Sequence, residues 1–142
     1  MDKLKDIKGL LIDLEGVIYS GDKIIEGAIN TLEKLNSKFK IRYLTNTTTT
    51  SRKLIFQKLR NFKLPLIERD VFSPSIAVTY YLKNNNISNI YLLANSNIKS
   101  DFNQFTFDDQ NPQAIILGDL YKDFNWDNLN KTFELLTKMR LF

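Results

Sequence analysis

Short apolar runs alternate along this chain with stretches in which apolar residues recur every three or four positions. Lys8–Leu14 is nearly continuous in apolar residues and reads as a strand buried on both faces, as in a parallel sheet. Val17–Ile25 carries Ser20-Gly21-Asp22, a turn signal that predicts a small hairpin or flap. Ile29, Leu32 and Leu35 give one apolar face to a helix over Gly27–Ser37. Lys40–Leu44 is a second strand ending at Thr45-Asn46. Thr47 to Ser51 offers helix caps before Arg52–Asn61, where Leu54, Ile55, Lys58 and Leu59 continue a helical period.

Pro65 breaks that period, Asp70–Ser73 reads as a short extended piece, and Ser73-Pro74 starts a helix running to about Lys83. Ile90–Leu93 and Ala114–Leu117 are further strands. The polar stretch Asn95–Gln113 predicts a short helix followed by loop. A last helix sets Trp126, Leu129, Phe133 and Leu136 on one side. Trp126 and the phenylalanines at 102, 105 and 107 read as packing residues. Strands alternating with helices predict an α/β fold.

Composition narrows the chemistry. The 142 residues are 43% hydrophobic, enough for one domain-sized core or two small units. Lys and Arg exceed Asp and Glu by 20 to 16, but the excess is scattered, which argues against a nucleic-acid partner. The chain has no Cys and no His, which removes thiol nucleophiles, Cys/His zinc sites and histidine bases. No apolar run approaches the ~18 residues of a membrane span. The N-terminal MDKLKDIKG lacks a signal-peptide core, so the expectation is a cytoplasmic protein with no membrane partner.

Carboxylates, hydroxyls, amides, Lys and Arg remain. Asp13 falls where a parallel strand ends at its carboxyl edge, the edge at which open α/β sheets bind ligands. Thr45-Asn46 falls at the equivalent end of the next strand. A carboxylate beside a hydroxyl and an amide suits phosphoryl transfer: the carboxylate attacks phosphorus and the donors hold the equatorial oxygens. Glu15 points to the same side as Asp13 if the chain stays extended, and from there it could act as acid and then base. The blander reading of Asp13 is a turn cap after a strand. Thr47–Thr50 read as loop and cap residues. Ser51 and Arg52 are further candidates for holding phosphate at a helix start.

Asp13-Leu14-Glu15-Gly16-Val17 and Leu44-Thr45-Asn46 resemble motifs I and II of the haloacid dehalogenase superfamily of phosphohydrolases. The flanks VIYSGDKIIEGAINTL and YLTNTTTTSRKLIFQKL are similar to class IIA members. VFSPSIAVTYYL, IYLLAN and AIILGDLYKDFNWDNLNKTFELL are similar to the α/β cap that class IIA inserts after motif II. The resemblance implies a partial Rossmannoid core with a parallel sheet over 1–72, followed by part of an α/β cap over 73–142. It further implies a Mg²⁺-dependent phosphatase acting on small phosphorylated metabolites through an aspartyl-phosphate. Asp13 would be nucleophile and metal ligand, Glu15 acid/base with its carbonyl on the metal, and Thr45 and Asn46 phosphate ligands.

Two departures qualify that implication. The family's second acid is commonly Asp, whereas this chain has Glu15. The family also continues to a motif III Lys and a motif IV acidic pair, and this chain reaches Phe142 before either. An impaired phosphatase is therefore expected, or alternatively an inactive remnant that binds phosphate or acts through protein contacts. Gly118-Asp119 with Asp123 after the Ala114–Leu117 strand also fits the spelling of motif IV. If that strand lay beside the first, Asp119 could complete a metal site, but the cap placement is preferred. Without a motif IV strand the first strand has an unpaired edge. That edge predicts a homo-oligomer joined through it, or a cap strand moved over to cover it.

Overall fold

The computed structural model describes residues 6–139. Met1–Lys5 of the N-terminal segment and Arg140–Phe142 at the other end lie outside the described residues. The chain forms two compact units. One contains the residues up to Asn46 together with Arg52–Ser73; the other contains Thr47–Ser51 and the residues from Pro74 onward.

The first unit holds β1 (Gly9–Asp13), the hairpin β2 (Tyr19–Ser20) and β3 (Lys23–Ile24), and α1 (Ala28–Asn36). It continues with β4 (Lys40–Leu44), α2 (Arg52–Asn61) and β5 (Val71–Phe72). Its main sheet has the order β1-β4-β5, all parallel. Alternation along the strands sends Leu10, Ile12, Ile41, Tyr43 and Val71 to one face. There they pack with Leu32 of α1 and with Ile55 and Leu59 of α2 in a single core. Both helices therefore lie on the same side of the sheet.

This corrects the expectation of a first strand buried on both faces. β1 alternates in exposure, and Leu11, on the opposite face, is 72% exposed. Its neighbour on that face is Arg42, which bonds Asp70 at 2.7 Å. The apolar run reflects a strand with one covered and one open face among the described residues. Among the described residues β1 is also an outer strand, with β4 its pairing partner.

The second unit holds α3 (Pro74–Asn84), β6 (Asn89–Leu93), β7 (Thr106–Phe107), β8 (Ala114–Leu117) and α4 (Trp126–Lys138). Its sheet is parallel with the order β7-β6-β8. Leu82, Ile90, Ile98, Phe102 and Phe105 form its core. The expected short helix is a 3₁₀ segment over Ser96–Phe102, and β7 is a strand that the polar surroundings of Thr106–Phe107 conceal. Phe102 and Phe105 are packing residues, but Phe107 is exposed, and so is Trp126. β8 pairs with β6 from Ile90↔Ala114 to Leu93↔Leu117, so it does not lie beside β1. Gly118 follows because a Cβ there would come within 2.9 Å of the Ala94 Cβ. That close approach explains the glycine of the Gly-Asp spelling. Among the described residues no helix is long and apolar enough to cross a membrane.

The burial pattern makes a direct forecast for two leucines three residues apart. Leu14 is wholly buried, and Leu14→Ala should cost about 2–5 kcal/mol in urea unfolding. Leu11→Ala should stay within about 0.5 kcal/mol of the parent chain.

Candidate active site

β1 ends at Asp13 because the chain turns sharply around Leu14. The Leu14 carbonyl accepts the N–H groups of Val17 (3.3 Å), Ile18 (2.9 Å) and Tyr19 (3.3 Å). Gly16, at φ +80°, makes that turn possible and donates to the Tyr19 carbonyl at 2.7 Å. With Leu14 buried, Asp13 and Glu15 on either side of it are both exposed. Their shared neighbourhood is visible at Tyr19. Its hydroxyl is held protonated above the usual pH 10, first by burial and then by the charges of Glu15 and Asp13.

In register, Asp13 lies opposite Leu44. Thr45 is the next residue along β4, on a strand about 4.8 Å away. The Thr45 N–H extends the ladder to the Phe72 carbonyl at 3.2 Å, which fixes its backbone. Thr45 is half-buried and Asn46 exposed. Asp13, Glu15, Thr45 and Asn46 all belong to the first unit, with Asp13 and Thr45-Asn46 at the carboxyl ends of neighbouring strands.

Glu15 does not stay on an extended strand. Its Oε1 accepts the Gly21 N–H at 2.8 Å, from the turn of the β2–β3 hairpin. The other side of that turn is held by a residue that sequence reasoning treats as one more position in a helical period. Lys58, on α2, donates to the Gly21 carbonyl at 2.7 Å and pairs with Asp22 at 3.2 Å. Its ammonium also sits 4.4 Å from the Tyr19 ring centroid. The only sequence signal was a lysine set between Ile55 and Leu59 of an otherwise core-facing stretch. Exposed ion pairs of this kind are worth about 1 kcal/mol or less, so the flap turn is held but releasable.

The remaining candidates make contacts of their own. Ser51 is buried, and the Arg52 Nε donates to Glu68 at 3.2 Å, so part of that guanidinium is already engaged. Thr49 N–H reaches Thr47 Oγ1 at 3.4 Å, a local loop contact. Asp119 lies in the second unit: its Oδ1 accepts the Tyr121 N–H at 2.9 Å, and its own N–H donates to Thr48 Oγ1 at 3.3 Å. That is the work of a turn-forming residue at the end of β8. Asp108 and Asp109 are likewise loop anchors. The N–H groups of Asn111 and Gln110 hold Asp108 below the usual carboxylate range, and the Lys131 ammonium does the same for Asp109. Among the described residues no group of three or more acids gathers as a metal cluster.

A family profile described as haloacid dehalogenase-like hydrolase matches residues 10–108. The phospholysine phosphohistidine inorganic pyrophosphate phosphatase of Bos taurus is 29% identical over 143 aligned residues, covering 97% of this chain and 52% of its own length. Among solved structures, a 4-nitrophenylphosphatase from Thermotoga maritima superposes with a TM-score of 0.82 at 26% identity, over 93% of this chain and 52% of that one. A glycerol phosphate phosphatase from Mycobacterium tuberculosis in complex with magnesium shares the fold, with a TM-score of 0.78 at 16% identity over 93% of this chain and 41% of that one. The chain thus spans about half the length of the curated relatives it matches.

The flap contacts can be tested without any substrate. Lys58→Met and Glu15→Gln should each speed amide exchange at Gly21 several-fold while leaving Leu10 and Ile12 protected. Tyr19 adds a pH signature. Its proton is bound more tightly in the folded chain than in the unfolded one, so stability should fall as pH rises past 10. Tyr19→Phe should make that fall shallower in alkaline thermal melts. Glu15→Gln, which removes one of the two charges, should lower the Tyr19 midpoint read from its ring resonances.

Proposed function

The chain belongs to the haloacid dehalogenase-like hydrolases, and from that premise we propose that it is a phosphohydrolase of small phosphorylated metabolites with Asp13 as nucleophile. The single observation that carries this reading is the register of β1 on β4, which sets Asp13 opposite Leu44 and so beside Thr45-Asn46. In this reading residues 1–72 are part of the catalytic core, 73–142 part of a cap, and the protein is cytoplasmic.

An Asp13 carboxylate oxygen attacks phosphorus, and the bond to the leaving oxygen breaks. Glu15 gives that oxygen a proton. Its Oε1 is oriented by the Gly21 N–H, which assigns the proton to Oε2. Water then attacks the phosphorus of the aspartyl-phosphate while Glu15 takes its proton, and inorganic phosphate leaves with Asp13 restored. The Thr45 hydroxyl and the Asn46 amide donate to the phosphoryl oxygens as charge builds on them.

Mg²⁺ fits this donor set as a weakly held ion. Asp13 offers a carboxylate and Glu15 its main-chain carbonyl, and Mg²⁺ ordinarily keeps several waters and completes its shell with substrate phosphate. When bound it would neutralise charge on the phosphoryl oxygens. The glycerol phosphate phosphatase of Mycobacterium tuberculosis, which shares the fold, is solved with magnesium and also with calcium, which supports a divalent cation at such a site. A second reading, phosphate binding without turnover, is favoured by the lack of a three-acid cluster among the described residues.

Hydrolysis of 4-nitrophenyl phosphate with added Mg²⁺ separates the two. The enzyme reading expects activity that Asp13→Asn abolishes and that Thr45→Ala lowers about a hundredfold. Binding of inorganic phosphate by calorimetry, with no turnover above the Asp13→Asn background, would leave only the second reading.

A further inference from the structure

The sheet of the second unit is unfinished along one edge. The backbone of β6 addresses its two neighbours in alternation. The Asn89 and Leu93 carbonyls accept the N–H groups of Gln113 and Gly118, on the β8 side, at 2.9 Å each. The Ser88 and Ile90 carbonyls accept those of Thr106 and Asp108, on the β7 side, also at 2.9 Å each. Leu92 comes next in that second series, and the Gln110 N–H is next in line to meet it. Asp108 intervenes: its Oδ1 accepts the N–H groups of Gln110 and Asn111, both at 2.9 Å, and the chain turns away. β7 therefore stops after two residues. Among the described residues, no strand covers the Leu92 N–H and C=O on that side.

A cavity of about 400 Å³ opens at that point, lined in part by Leu92, Lys99, Phe107 and Asp108. Its two lips differ in charge. Phe107 pairs in register with Ile90, so both belong to the face that Ile98 and Phe102 of the 3₁₀ segment cover. Lys99, from the same segment, sets its ammonium 5.0 Å from the Phe107 ring centroid. Among the described residues Lys99 enters no ion pair, so this lip carries a positive charge with no carboxylate against it. By alternation Tyr91 and Asp108 belong to the other lip. There the Lys131 ammonium lies 5.6 Å from the Tyr91 ring centroid and already pairs with Asp109 at 3.1 Å.

An open strand edge accepts extended backbone, and the side chains along it choose which sequence binds. A residue in register with Leu92 turns its side chain to the Leu92 face, toward Lys99. The residues on either side of it turn to the other face, where Asp108 repels acids and Tyr91 offers apolar surface. We infer that this notch takes an extended peptide segment of a partner protein, with an acidic residue at its centre and uncharged residues flanking it. The segment continues the line of β7 and so runs parallel to β6. The carbonyl before the acidic residue accepts the Leu92 N–H, and the N–H after it donates to the Leu92 carbonyl. Two backbone bonds and one exposed ion pair make a weak association.

Amide-resolved NMR of the 142-residue chain tests this, with acetyl-Val-Glu-Val-amide as the probe. In the free chain the Leu92 amide should exchange at least about tenfold faster than those of Tyr91 and Leu93, which face β8. At millimolar peptide the Leu92, Lys99 and Phe107 resonances should shift, and exchange at Leu92 should slow. Glutamine in place of the peptide's glutamate should weaken binding about fivefold, the worth of one exposed ion pair. N-methylation of the third residue's backbone nitrogen, which meets the Leu92 carbonyl, should abolish binding. Lys99→Gln, at an exposed position, should bind the glutamate and glutamine peptides equally. A Leu92 amide as slow as its neighbours in the free chain would overturn the proposal, since the edge is then covered by this chain or by a second copy. So would an absence of shifts, an N-methylated peptide that binds as well as its parent, or a glutamate preference that Lys99→Gln retains.

Discussion

Everything at the candidate site hangs on the burial of Leu14. Its side chain is wholly enclosed, and its carbonyl gathers three successive N–H groups from Val17, Ile18 and Tyr19. A buried residue at that point obliges its neighbours to face out, which places Asp13 and Glu15 at the surface two residues apart. The same turn throws the chain into the β2–β3 hairpin and brings Gly21 back over Glu15. One packed leucine thus sets the strand end, the pair of acids and the position of the flap.

Much of the architecture was legible because its signals are local. The period of Leu54, Ile55 and Leu59 gave α2 its observed limits, and Lys40–Leu44 and Ala114–Leu117 emerged as strands with the bounds read from their apolar runs. The hairpin followed from Ser20-Gly21-Asp22. What stayed hidden depends on which neighbours cover a surface. Leu11 is as apolar as Leu10, and only the placement of α1 and α2 on one side of the sheet decides that it meets solvent. The Trp126–Leu136 stripe was read correctly as one side of a helix, yet periodicity carries no information about which side a helix turns inward when both could pack.

The candidate site divides in the same way. Asp13, Thr45 and Asn46 could be named because strand ends are visible in sequence and parallel neighbours share an edge. Glu15 could be named but not followed, since its contact with Gly21 exists only once the chain has doubled back. Lys58 lies 37 residues from Gly21, and no local pattern foretells their 2.7 Å bond. With Glu15 on its amide and Lys58 on its carbonyl, Gly21 links motif I to α2, and the flap becomes part of the means by which the second acid is oriented.

The central claim is that Asp13 is a nucleophile at the shared edge of β1 and β4. It is tested most directly by acid quenching the chain during incubation with 4-nitrophenyl phosphate and Mg²⁺, followed by peptide mass mapping. The account predicts a phosphoryl group on the peptide that contains Asp13, absent from Asp13→Asn and removed by hydroxylamine, as an acyl phosphate should be. Product formed without any adduct on that peptide, or an adduct retained by Asp13→Asn, would contradict it.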